Sequence, residues 1–188
     1  EPFISHPEDS TLTIDERTAA GLIDPARSFA RARLAYRDVA SSTNRLSLIA
    51  AILPGGVVTT HSLFCLKTPL PDDEQQYLCG MLNSFVANYL VRQVMTTHLG
   101  STTVEDLRVP RLSPSSEEFQ EISRLARSLS RGPAPNEAAR LQAAAAWAYQ
   151  LTLEEFRHVL TTFPLVPESQ RAAALDAFSR RPETYESA

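Results

Sequence analysis

Arginine side chains gather in one short stretch of this sequence. Residues 27 to 45 contain a single acid, Asp38, and five arginines: Arg27, Arg31, Arg33, Arg37 and Arg45. The planar guanidinium group suits bidentate contacts with phosphates or with guanine bases. The same charges would also fit an ordinary solvated surface, so charge alone leaves both interpretations open.

Short polar side chains lie between these arginines. A polar turn separates two predicted strands, and hydroxyl and amide groups of this kind contact phosphates or base edges in nucleic-acid complexes. The competing interpretation is an ordinary solvated turn, with Arg37 paired to Asp38 or to another acid. The candidate contacts on this surface are Arg33, Arg37, Ser41, Ser42, Thr43, Asn44 and Arg45.

Two further groups of polar residues are weaker candidates for the same role. Thr59, Thr60 and His61 lie on a predicted third strand, where the alternative is a strand face packed on a helix. Arg92 lies with Asn83 and Asn88 on the polar side of a predicted helix. Arg108 and Arg111, beside Pro110, complete the set.

The residue spacing predicts no catalytic, cofactor-binding or metal-binding site. The chain contains no Gly-rich phosphate loop, no GxSxG and no HExxH motif. Ser62 follows His61 directly, and neighbours on a strand face opposite sides, which disfavours a nucleophile pair. A zinc site from His61, Cys65, Cys79 and His98 lacks ligand spacing, so we expect these to be structural residues.

Composition indicates a folded protein of moderate size. The 188 residues are 43% hydrophobic with a net charge of −4, and a negative total argues weakly against a nucleic-acid partner. No apolar run approaches 18 residues and the start is acidic, so we expect a cytoplasmic protein without a membrane span or signal peptide. Because the chain begins with Glu1, we expect a fragment of a longer protein.

Hydrophobic periodicity predicts a small sheet followed by a long helix. Alternation over 33–40 predicts a strand with Leu34 and Tyr36 on one side, and the ranges 45–53 and 57–67 predict two more. The short turn between the first two makes them antiparallel neighbours. A short edge strand is expected at 107–109.

The apolar residues from 73 to 99 recur at helical spacing and predict one long central helix. Its opposite side is expected to be a solvated face or a polar contact surface, formed by Gln76, Asn83, Ser84, Asn88 and Arg92.

From Ser115 onward the chain is predicted to be helical. Capping boxes are expected at Ser115 with Glu118 and at Thr152 with Glu155. The predicted fold class is therefore α+β, a small mainly antiparallel sheet on a long central helix followed by a helical region. The predicted divisions are an N-terminal tail or truncated element (1–32), an α+β module (33–112) and a C-terminal helical region (113–188).

Three runs, in this order and spacing, carry a resemblance to a known family: RLAYRDVASSTNRLSLIAAILP, VVTTHSLFCL and MLNSFVANYLVRQVMTTHL. They resemble the C-terminal part of the Taq-type specificity domain of adenine-N6 DNA methyltransferases and fused type IIG restriction-modification enzymes. The tail YQLTLEEFRHVLTTFPLVPE is similar to the end of those proteins. The resemblance covers about Arg33 to Pro167.

The resemblance implies that residues 33–112 are a DNA target-recognition module without its catalytic domain. In that family a separate domain binds S-adenosylmethionine and carries an Asn-Pro-Pro-aromatic motif, which this chain lacks. The implied partners are double-stranded DNA and the missing methyltransferase domain, and no cofactor is expected in the chain itself. The base-reading residues of the family vary between members, so none is carried over. The competing function is a docking module of the same kind of enzyme without direct DNA contact.

Overall fold

A three-stranded antiparallel sheet forms the first half of the α+β fold. The computed structural model describes residues 1–24, 26–38, 40–95 and 99–181. Strand β1 (Arg33–Arg37) lies in the centre and pairs with both β2 (Ala50–Leu53) and β3 (Leu63–Cys65). The predicted antiparallel pairing of the first two strands is confirmed. The second and third strands are shorter than predicted. Much of 45–53 and 57–67 has no regular secondary structure.

The N-terminal residues belong partly to this sheet and its core. Phe3 is buried, forms a parallel bridge with Ala51 and donates its N–H to the Ala50 carbonyl at 2.9 Å. The outer edge of β2 is therefore covered by the first residues of the chain. A short helix α1 (Glu16–Thr18) and a π-helical turn (Ala19–Ile23) follow.

The predicted long helix is two helices, α2 (Asp72–Leu82) and α3 (Phe85–Val94). Asn83 ends the first, and Ser84 caps the second by accepting the N–H of Ala87 at 3.1 Å. Serine is a favoured N-cap because its side chain satisfies an otherwise unpaired backbone donor. The prediction of a continuous helix over this range was wrong, and its last residues, 96–98, lie outside the described residues.

The chain after α3 is helical almost throughout. Helix α4 spans Ser101–Glu105, and 107–109 is not the predicted edge strand. Ser116, rather than Ser115, caps α5 (Glu117–Leu129). The last three helices are α6 (Pro135–Ala148), α7 (Leu153–Thr161) and α8 (Glu168–Ser179), and the capping box of Thr152 with Glu155 is confirmed.

One apolar cluster joins the sheet to the C-terminal helices. Leu34 and Leu48 from the sheet region meet Leu82 of α2 and, from α5 and α6, Leu125 and Leu141. Helix α2 thus lies between the sheet on one side and α5 on the other. No helix in the described ranges is long and apolar enough to cross a membrane.

Candidate nucleic-acid interface

Two polar turns leave the sheet at the same end. The Arg37 N–H donates to the Ile49 carbonyl at 3.0 Å, and the Asp38 N–H donates to the Ser62 carbonyl at 3.0 Å. The residues after β1 and the residues before β3 are therefore neighbours. We call the exposed side chains at this end the sheet-end surface; they are Ser42, Thr43, Arg45, Thr60 and His61.

The turn after β1 is ordered by its own hydroxyl groups. Ser41 and Thr43 share a hydrogen bond between their side-chain oxygens at 2.8 Å, and the Thr43 N–H donates to the Ser41 hydroxyl at 3.2 Å. The Ser47 hydroxyl donates to the Ser41 carbonyl at 2.8 Å. Ser41 is half-buried by these contacts, so Ser42 and Thr43 are the exposed hydroxyl groups of the turn.

Arg45 presents a free positive charge beside this turn. Its guanidinium donates to the amide oxygen of Gln170 at 2.9 Å, which leaves its charge uncompensated. Among the described residues no acid forms a salt bridge with it. An exposed guanidinium with one neutral partner keeps most of its donors available for a phosphate or a base.

Arg92 holds the turn from inside rather than forming part of the exposed surface. Its Nε donates to the Ser47 hydroxyl at 3.0 Å, and its two terminal nitrogens donate to the carbonyls of Asn44, Arg45 and Thr162. The guanidinium carbon lies 4.2 Å from the centre of the Phe163 ring. Burial lowers the pKa of Arg92. In this structure Arg92 positions the turn, and half-buried Asn44 contributes its carbonyl to the same network. That Arg92 contacts DNA stays a prediction.

Two buried amide side chains hold the segment that leads back into β2. The Asn88 Oδ1 accepts the N–H groups of Ser47 and Leu48, both at 2.9 Å. The Asn83 Oδ1 accepts the Ala50 N–H at 3.0 Å, and its amide donates to the Ala50 carbonyl at 2.8 Å. These side chains replace the partners that a neighbouring strand would provide. The predicted polar contact surface of the central helix is therefore an internal bonding surface.

Arg33, Ala35 and Arg37 point to one side of the sheet, which we call the back face. Arg33 is only 3% exposed, so it is not part of the exposed surface on which it was predicted to lie. One of its terminal nitrogens donates to the Val57 carbonyl at 2.6 Å. Arg37 is half-buried and donates weakly to the Leu46 carbonyl at 3.4 Å. The alternative interpretation was an ion pair of Arg37 with Asp38 or another acid, and the described residues contain no salt bridge of Arg37 that supports it.

The three candidates on the predicted third strand separate into two environments. The Thr59 hydroxyl is half-buried at 3.3 Å from the Cys65 sulfur, whereas Thr60 and His61 are exposed. Cys79 is fully buried, and burial raises the pKa of its thiol to about 12. The described residues contain no group of three or more potential metal ligands, and His98 lies outside them.

The side of the sheet opposite the back face contains a groove that was not predicted. It has a volume of about 1590 Å³, and Tyr36 and Phe64 stack on its wall with ring centres 5.5 Å apart. Arg108 and Arg111 also line it. The only sequence signal is an aromatic residue on each of two neighbouring strands, and their register is needed to bring the rings together.

Comparison with protein-family models, with curated proteins and with solved structures finds no match to this chain. The resemblance to the Taq-type specificity domain therefore stays a prediction from the sequence.

Proposed function

We propose that this chain recognises a DNA sequence as the specificity module of an adenine-N6 DNA methyltransferase of the restriction-modification or phage-defence kind. The catalytic domain would lie elsewhere in the complete protein. We also expect this protein to act in the cytoplasm. The sheet-end surface would meet the duplex, with Arg45 as its principal cation.

The observation that carries this proposal is the exposed charge of Arg45 on a turn that is held from within. Arg92 donates to the carbonyls of Asn44 and Arg45, so the backbone that carries the exposed guanidinium is fixed at its base. A preorganised contact loses less conformational entropy on binding than a mobile one. This supports the use of the turn for recognition rather than as a passive connection.

Methyl transfer is assigned to the missing domain. The chain lacks the Asn-Pro-Pro-aromatic motif and a Gly-rich cofactor loop. We expect this chain to transfer no methyl group from labelled S-adenosylmethionine to DNA. Transfer by the chain alone would contradict this division of roles.

The test is fluorescence anisotropy with a pool of random-sequence duplexes at low and at physiological salt. We expect salt-sensitive binding, because each phosphate contact releases counterions and contributes about −0.9 to the slope of log affinity against log salt. Arg45→Ala should weaken binding and make the slope shallower by about 0.9. The matched control is Arg131→Ala, which removes an exposed arginine next to α5, away from the sheet-end surface.

Two results would refute the proposal. Identical affinity and slope for Arg45→Ala and the unmodified chain would exclude the sheet-end surface. Absence of binding at low salt, both for this chain and for the complete protein, would favour the docking function. The surface for that function would be the groove between α5, α6 and α8, which is lined by several alanines and by Trp147.

A further inference from the structure

A loop without regular secondary structure crosses the back face of the sheet. We call residues 57–60 the strap. At one end the Val57 carbonyl accepts a hydrogen bond from Arg33, and near the middle the Thr59 hydroxyl touches the sulfur of Cys65. Cys65 lies directly opposite Ala35 in the sheet, and directly opposite residues of an antiparallel pair share a face. The strap therefore covers the face to which Arg33 points.

Guanidinium nitrogens without partners lie on this face. The Nε and Nη1 atoms of Arg33 and the Nε of Arg37 are buried and have no hydrogen-bond partner among the described residues. No acid in the described ranges forms a salt bridge with either side chain. A buried cation without a counter-charge is unfavourable, and a guanidinium matches the paired oxygens of a phosphate. These unused donors point to an anionic ligand.

Few contacts hold the strap in place. Its ends are tied by the Gly56 N–H, which donates to the Phe29 carbonyl at 2.8 Å, and by the Leu63 N–H, which donates to the Thr60 carbonyl at 3.2 Å. Between them, within the described residues, the polar contacts to the sheet are those of Val57 with Arg33 and of Thr59 with Cys65. Gly56 has a positive φ of 86°, a conformation that suits a turn at the base of the strap.

We propose that the back face is a second phosphate-contact surface, which is exposed when the strap moves aside on DNA binding. This inference rests on the proposed function. Arg33 and Arg37 are four residues apart on one strand, about 13 Å, and would therefore bind different phosphates. The closed strap leaves their donors unsatisfied, and the backbone of a bound duplex supplies the missing oxygens.

A disulfide lock tests this directly. The Thr59 oxygen is 3.3 Å from the Cys65 sulfur, so Thr59→Cys places a thiol against the native one. The other native thiol, Cys79, is only 1% exposed and does not compete. After oxidation, confirmed by mass, we expect roughly tenfold weaker binding to the duplex pool and a salt slope shallower by about 1.8, the value for two phosphate contacts. Reduction should restore both.

The controls separate the lock from the proposed function. Thr59→Cys combined with Cys65→Ser cannot form the bond and should be insensitive to oxidation. Equal affinity and slope for the locked and reduced forms would overturn the strap proposal while leaving DNA recognition intact. Absence of binding by the reduced form, by the unmodified chain and by the complete protein would overturn both proposals.

A second variant does not depend on disulfide formation. Arg33→Met replaces the buried cation with an apolar side chain of similar length. We expect the slope to become shallower by about 0.9 while Tm stays the same or rises, because an uncompensated buried charge has been removed. A lower Tm with an unchanged slope would show that Arg33 is purely structural and would overturn the proposal.

Discussion

Replacing Asn88 with alanine tests whether side-chain amides carry the backbone of residues 47–50. Asn88 is 0% exposed, and its Oδ1 accepts the N–H groups of Ser47 and Leu48. Alanine leaves both donors buried without a partner, at about 1 to 3 kcal/mol each. The expected loss is therefore about 4 kcal/mol, a large part of the 5–15 kcal/mol that typically stabilises a domain.

The assay is urea unfolding followed by circular dichroism. With an m-value of about 2 kcal/mol/M, a loss of about 4 kcal/mol lowers the midpoint by about 2 M. The control is Gln93→Ala, which changes an exposed side chain of the same helix and should stay within about 0.5 kcal/mol of the unmodified protein. A loss below about 1 kcal/mol for Asn88→Ala would refute the bonding scheme described for this segment.

Three other substitutions test separate contacts. A Cβ at Gly80 would lie 2.8 Å from the Ile122 side chain, so Gly80→Ala should destabilise the protein by about 1–3 kcal/mol in urea unfolding. No loss would show that the contact between α2 and α5 shifts easily enough to admit the methyl group. Burial raises the pKa of Tyr77 to about 12, so the unfolded phenol ionises first and stability falls between about pH 10 and 12. Tyr77→Phe should make that fall shallower and cost about 1 kcal/mol at neutral pH, because the phenol donates to the Pro110 carbonyl at 2.7 Å; an unchanged alkaline profile would contradict this. Thr152→Ala removes the cap of α7 and should lower the free energy of unfolding by about 1 kcal/mol, whereas an unchanged value would mean that the cap is dispensable.

Local patterns predicted the elements that depend on local interactions. The capping box of Thr152 with Glu155 lies within one helical turn, and the structure contains both of its hydrogen bonds. Alternation predicted β1, and the apolar spacing predicted the helical second half. Each of these depends on residues a few positions apart, which explains why a single sequence was sufficient.

Long-range bonding explains the wrong predictions. Asn83, Ser84 and Asn88 have the spacing of a solvated helix face, yet they are buried. The amides of Asn83 and Asn88 bond backbone groups about 33 to 41 residues away in sequence. The N–H groups of Ser47 and Leu48, just before β2, bond the Asn88 side chain, and the Ala50 N–H, at the start of β2, bonds that of Asn83. The spacing of residues within the helix gives no information about these distant backbone groups.

The sequence by itself determined the α+β class, the antiparallel hairpin and the concentration of arginine near that hairpin. Only the tertiary structure decided which of those arginines face solvent. Arg45 is exposed, Arg92 holds the turn from inside, and Arg33 lies beneath the strap. A guanidinium has the same charge and the same donors at each position, so its role follows from the backbone carbonyls and rings that the fold brings to it.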